Sequence, residues 1–192
     1  MLLYINANSN TDEFSTTSKI ANAFVKEYAK GKEIETYRIN LIDYLLPELD
    51  RDVYSENDKE ITETKLKRRN KALQDFMEAN IVVVAAPMWN FLYPAVLKTW
   101  IDSIVISKKT FEYTSKGPNG LAGDKKVLFI QSSGGNYEKH PEMNHGLAHF
   151  KTIMKFMGIK EISTILAGGT AKNREALLEE KTAEAIELAR TF

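Results

Sequence analysis

Three short stretches of this chain carry residue types that could do chemistry at close spacing. Residues 87–91 read PMWNF: Pro87, a thioether at Met88, an indole at Trp89, an amide at Asn90 and a phenyl ring at Phe91. Two aromatics and an amide suit a flat heteroaromatic guest, held by stacking and by hydrogen bonds along its edge. Residues 132–135 read Ser132, Ser133, Gly134, Gly135. Small hydroxyls and paired glycines let a backbone come close to a ligand, although a glycine pair also serves an ordinary tight turn. Residues 8–18 read NSNTDEFSTTS, rich in hydroxyls at Ser9, Ser15, Thr16, Thr17 and Ser18. Where such a run opens a helix, free N–H groups and the helix dipole favour an anion, with phosphate the natural guest. A plain N-cap by Ser15 or Thr16 is the commoner reading of the same residues.

Other candidate chemistry is weaker. His145 and His149 stand four apart and could share a metal, but no carboxylate partner is evident, so no metal site is expected. The chain has no cysteine, which excludes disulfides, thiol redox, Cys nucleophiles and thiolate metal sites. Any redox chemistry must then come from a bound cofactor. Neither a GxGxxG fingerprint nor a GxxxxGK[ST] phosphate loop occurs.

The elements that must position these stretches follow from periodicity. Leu2 to Ala7 is an apolar strand, and Ile20, Ala21, Phe24, Val25 and Tyr28 fall on one helical face, with Gly31 as C-cap. Glu33 to Asn40 alternates like an edge strand; Ile42 to Tyr54 is irregular; Asp58 to Ala79 reads as a long helix, its apolar face made by Ile61, Leu66, Leu73, Phe76 and Met77. The basic run Lys65, Lys67, Arg68, Arg69, Lys71 on that helix reads as a solvated face. Ile81 to Ala86 is apolar without alternation, the mark of a strand buried on both faces in a parallel sheet. Pro94 then opens a helix through Leu97, Trp100, Ile101, Ile104 and Val105.

Lys108 to Asp124 is a long glycine-bearing stretch with Phe111 and Tyr113, either a functional loop or a hairpin-like excursion with aromatics on its rim. Lys126 to Gln131 is a strand and Met143 to Met157 a helix ended by Gly158. Ile159 to Ala167 is the last strand and Asn173 to Thr191 the last helix, capped by Asn173. Five strands alternating with helices predict a doubly wound parallel α/β sheet in one domain, residues 1–192.

The three stretches each follow a strand, so they converge on the carboxyl edge of that sheet, where open α/β sheets bind ligands. Together they describe a pocket for a phosphorylated planar heterocycle, and flavin mononucleotide (FMN) fits all three parts. The 26 basic and 26 acidic residues balance, which argues against nucleic-acid or membrane binding. No apolar run reaches the ~18 residues of a membrane-spanning helix. The N-terminus MLLYINA has no basic n-region, so no signal peptide and a cytoplasmic location are expected.

PMWNF, SSGG and the block FEYTSKGPNGLAGDKK together resemble, across the whole chain, the FMN-dependent NADH:quinone oxidoreductases, or azoreductases, of the flavodoxin-like superfamily. The resemblance implies a three-layer flavodoxin-like fold with five parallel strands in the order 2-1-3-4-5. It implies phosphate contacts at Ser9, Ser15, Thr16 and Thr17, and ring contacts at Pro87, Met88, Trp89, Asn90, Phe91, Ser132, Ser133, Gly134 and Gly135. It also implies a substrate slot lined by Tyr113 and Phe156, and a homodimer that completes each site across its interface. Many members carry Tyr where this chain has Trp89, and a basic residue where it has Ser133. Those departures bear on flavin potential and substrate range more than on fold.

The implied chemistry is two half-reactions in one pocket: hydride from NADH or NADPH to bound FMN, then reduction of a quinone or azo compound in the nicotinamide's place. Asn90 and Tyr113 are orienting candidates, and no side chain need act as nucleophile or metal ligand. The rival readings are a flavodoxin-type electron carrier, a flavin-binding regulatory protein without its own substrate, and an NADPH-dependent FMN reductase that releases its flavin. Carriers are usually strongly acidic, unlike this chain.

Overall fold

The computed structural model describes the backbone of residues 1–51 and 59–192, and the side chains of 1–51 and 63–192. Its sheet has five parallel strands: β1 (Leu2–Asn6), β2 (Thr36–Asn40), β3 (Ile81–Ala85), β6 (Lys126–Ser133) and β7 (Glu161–Gly168), in the order β2-β1-β3-β6-β7. With the ribbon strands β4 (Phe111–Thr114) and β5 (Gly117–Gly120) set aside, this is the expected order 2-1-3-4-5. Every residue of β1 and β3 is buried, as an unalternating apolar run requires.

Two apolar layers explain why. Leu3, Ile5, Val82, Val84, Val127 and Phe129 face one core. That core is covered by α3 (Lys59–Glu78), α4 (Ala95–Ile104) and α5 (His145–Phe156), through Phe76, Trp100 and Phe150 among others. Leu2, Tyr4, Val83, Leu128 and Ile130 face the other, covered by α1 (Thr16–Ala29) and α6 (Thr170–Thr191) through Phe24 and Ala185. A short α2 (Leu41–Tyr44) follows β2 and ends at Leu45 in the left-handed region, φ 51°. The sheet is therefore sandwiched, with ligand access only at its edges.

The structure decides some sequence expectations and corrects others. Of the two readings of Lys108–Asp124, the hairpin-like one holds and the open loop does not. The stretch holds an antiparallel ribbon of β4 with β5, Phe111 opposite Gly120. Its Gly120 lies against the α5–β7 turn, where an added Cβ would stand 2.1 Å from the Gly158 nitrogen. Gly158, the expected helix stop, has φ +93°. A short helical turn from Thr170 precedes the last helix, and non-helical Asn173 (φ −134°, ψ 48°) separates the two, so the long part starts where the sequence placed it. Strand β2 begins at Thr36, later than the alternation suggested. The basic run is not wholly a solvated face: Arg69 is buried and donates to the Asp102 carbonyl at 2.7 Å, while Leu66 and Met77 are exposed. Residues 52–54 of the irregular stretch, the expected helix start at Asp58 and the Ile61 side chain lie outside the described residues.

Gly120→Ala drives a methyl into backbone that cannot step aside, and overpacking of this kind costs on the order of 2–3 kcal/mol. Gly31→Ala, at φ +71° with open space around it, carries only the left-handed strain of about 1 kcal/mol. Urea unfolding of the two variants should rank Gly120→Ala clearly lower, and equal midpoints would contradict the close pass.

Candidate functional site at the carboxyl edge of the sheet

Register decides where the three chemical stretches meet. Asn6 pairs with Ala85, and Ala85 with Ile130, so β1, β3 and β6 reach the same level before their loops leave. Hydrogen bonds then tie the loops to each other. The Thr17 hydroxyl lies 2.5 Å from the Ser132 hydroxyl. The Met88 N–H donates to the Ser132 carbonyl at 2.7 Å. All three stretches thus meet at Ser132.

The first loop ends in a capped helix. Ser15 is the N-cap of α1: its hydroxyl accepts from the Ser18 N–H at 3.0 Å and from the Asn8 side-chain amide. The N-cap reading of the sequence holds, and it leaves the anion reading open, because the amides of Thr16 and Thr17 come before the first intrahelical bond. Thr16, Thr17 and Ser18 are buried, with the Ser18 hydroxyl donating to Asn6, whereas Ser9 is exposed. One contributor had no sequence signal. Arg174, from α6, donates through Nε to the Thr16 hydroxyl at 3.1 Å and through Nη2 to the Phe14 carbonyl. Only the packing of α6 beside α1 brings it there.

The second loop is a tight turn. Trp89 and Leu92 exchange backbone hydrogen bonds, and Asn90 and Phe91 both sit at positive φ, 49° and 65°. Such a turn strains a non-glycine backbone and persists only where its surroundings hold it. Three anchors do so. Met88 N–H bonds Ser132; Phe91 C=O accepts from Gly146 N–H at 3.0 Å; and the Tyr93 hydroxyl meets Nδ1 of His149. Gly146 is needed for the close pass, since a Cβ there would meet the Leu92 backbone at 3.0 Å. The turn leaves the Trp89 indole 49% exposed and Phe91 partly so, with Phe91 edge-on to Tyr137.

The third loop turns its carbonyls inward. The Ser133 and Gly135 carbonyls accept from Gly169 N–H, and the Gly134 carbonyl from Ala171 N–H. The Ser133 hydroxyl donates to the Gly135 carbonyl at 2.8 Å. These contacts use the carbonyls of the two glycines and not their N–H groups, so a row of donors is available at the surface. Beside it lies a cavity of about 250 Å³ lined by Gln131, Tyr137, Asn144 and Leu147. On the other side of the Trp89 turn a groove of about 540 Å³ runs along Trp89, Leu92, Pro94, Lys98 and His149.

The remaining candidates sit elsewhere. Phe156 ends α5, about 15 Å along that helix from Gly146, which supports Phe91, at 1.5 Å per residue. There it packs on Phe111 at 4.6 Å, and Tyr113 stands edge-on to Phe111 with 73% of its surface exposed. His140 lies beside Glu142, apart from His149, and the described residues hold no cluster of three metal-ligating side chains.

Burial pushes the His149 imidazole below its usual value; nearby Lys98 adds to the shift and Asp102 opposes it. The folded pKa then lies under the ~6.5 of an unfolded histidine, so the unfolded chain binds the extra proton between the two. The contribution to stability is full above about 6.5 and falls as pH drops toward the folded value. NMR titration should place the His149 midpoint below 6.5, and a midpoint at or above 6.5 would contradict the burial of the imidazole.

Comparison with known proteins agrees with this arrangement. A family model described as a flavodoxin-like fold matches residues 1–189. The FMN-dependent NADH:quinone oxidoreductase of Staphylococcus haemolyticus is 38% identical, with all of this chain and 99% of that protein aligned. The crystal structure of an FMN-dependent NADH-azoreductase from Bacillus anthracis in complex with FMN superposes with a TM-score of 0.92 at 30% identity, covering 99% of this chain and 97% of that one. An azoreductase from Bacillus anthracis str. Sterne gives 0.91 at 28% identity, covering 100% of this chain and 99% of that one.

Proposed function

This chain belongs to the flavodoxin-like family that its residues 1–189 match, and from that premise we propose that it is an FMN-dependent NADH:quinone oxidoreductase that also reduces azo compounds. The observation that carries the reading is the meeting of three donor-bearing loops at Ser132. The residues present fit FMN in kind: a helix N-terminus with hydroxyls for a phosphate, outward glycine N–H groups for a ring edge, and exposed aromatic surface for a flat face.

When bound, FMN supplies the redox chemistry, taking a hydride from NADH and giving two electrons to the acceptor. The chain's own residues bind and orient. The amides of Thr16 and Thr17, with the hydroxyls of Ser9, Ser15, Thr16 and Thr17, hold the phosphate. The Asn90 amide and the N–H groups of Gly134 and Gly135 donate to the ring edge, where fixed donors favour developing negative charge. Pro87 and Met88 set the entry to the turn, Trp89 and Phe91 flank the ring, and Ser132 and Ser133 hold the loops in place. Ser133 is neutral, so the charge at the ring edge is met by N–H dipoles alone on this loop.

Residues 1–192 act as one flavin-binding unit, and two copies act together. Tyr113 and Phe156 both pack against Phe111, and the exposure of Tyr113 on its ribbon suits a role in a partner's pocket. The same homodimer then supplies each slot with aromatics from the other chain. The donor's adenosine end meets no dinucleotide fingerprint, which leaves the loops to select NADH.

The purified protein should show an oxidised-flavin spectrum that bleaches anaerobically with NADH and recovers with excess quinone. A flavin reducible by dithionite but not by NADH would favour the electron-carrier reading, and a chain that cannot be reconstituted with FMN would overturn the proposal. Tyr113→Ala should raise the quinone KM about 2- to 10-fold, the worth of one aromatic contact, while leaving FMN affinity unchanged. A sedimentation measurement should find a dimer.

A further inference from the structure

We propose that Arg174 is a phosphate-positioning residue of the flavin site, a role that rests on the flavin reading above and deepens it. The guanidinium is anchored where positive charge is otherwise out of place. It donates through Nε to the Thr16 hydroxyl at 3.1 Å and through Nη2 to the Phe14 carbonyl, so it sits across the chain entering α1 and the first turn of that helix. A helix N-terminus already carries the positive end of the macrodipole and normally attracts carboxylates. Here the first turn of α1 holds no acidic residue. The nearest acid in sequence with a defined partner, Asp12, is committed to Arg38 by two bonds of 2.6 Å and accepts a third from Asn22. Among the described residues no carboxylate pairs with Arg174.

Donor accounting points the same way. A guanidinium has five N–H groups, and these two bonds use two of them. A hydroxyl that accepts from Arg174 keeps its own proton to give, so Thr16 is turned from a possible acceptor into a donor toward the helix entrance. The arrangement therefore gathers the remaining N–H groups of Arg174, the Thr16 hydroxyl and the first amides of α1 with no anion of the chain among them. A phosphate dianion answers all three. The kink at Asn173 immediately precedes Arg174 and breaks the helical path on which it would otherwise lie.

The test compares two ligands that differ only by the phosphate. Apoprotein is titrated with FMN and with riboflavin by flavin fluorescence quenching, for wild type, Arg174→Met and Arg174→Lys. Loss of a charge-assisted contact should weaken FMN binding about tenfold in Arg174→Met. Riboflavin affinity should change less than about twofold by the same reckoning. Arg174→Lys, which keeps the charge, should recover part of the FMN affinity, and the salt dependence of FMN binding should flatten in Arg174→Met alone. Equal FMN affinity in wild type and Arg174→Met overturns the inference. So does an equal loss for both ligands, which would mean that Arg174 merely supports the loop. If wild type binds neither ligand, the flavin reading itself falls.

Discussion

The parallel pairing of β1, β3 and β6 is the constraint from which the rest follows. These strands are buried on both faces, so each backbone N–H and C=O must find its partner on a neighbouring strand. That demand fixes a register in which Asn6, Ala85 and Ile130 stand side by side. A slip of one residue would exchange the two apolar faces of a strand and is excluded by the different helices packed on them. Because the register is fixed, three loops far apart in sequence are forced to leave the sheet at one edge and within bonding distance of Ser132.

What those loops can do is set by how their backbones are held. The Asn90–Phe91 turn is strained, and its anchors lie on β6 and α5. The glycine loop spends its carbonyls on the start of α6 and keeps its N–H groups. The hydroxyl loop spends one serine on capping α1 and leaves the helix entrance to an anion. A site of this kind offers position and donors, which suits chemistry carried by a bound redox cofactor.

Much of this was legible in the sequence, and the reasons differ by element. The strands Leu2–Asn6 and Ile81–Ala85 announced themselves because burial on both faces leaves a continuous apolar run. PMWNF and SSGG were legible because proline and glycine punctuate strand ends. The ribbon at Phe111–Gly120 was legible only as one of two alternatives, since GPNG lacks the alternation of a strand and passes close over Gly158. Gly146 fell unremarked within the helix expected from Met143 to Met157; its reason is contact with the Leu92 backbone, which no local pattern encodes. Arg174 was silent for the same reason, being 158 residues from the hydroxyl it binds. Tyr113 and Phe156 were assigned to the substrate slot by resemblance alone, because neither their spacing nor their side-chain type marks a pocket.

The central claim, that the three loops form one FMN site, is tested most directly by a crystal structure of the protein with FMN. The account predicts phosphate oxygens on the Thr16 and Thr17 amides, and the ring edge against Asn90, Gly134 and Gly135. A flavin seated in the groove beside Lys98 and His149, with the α1 entrance occupied by solvent alone, would contradict it.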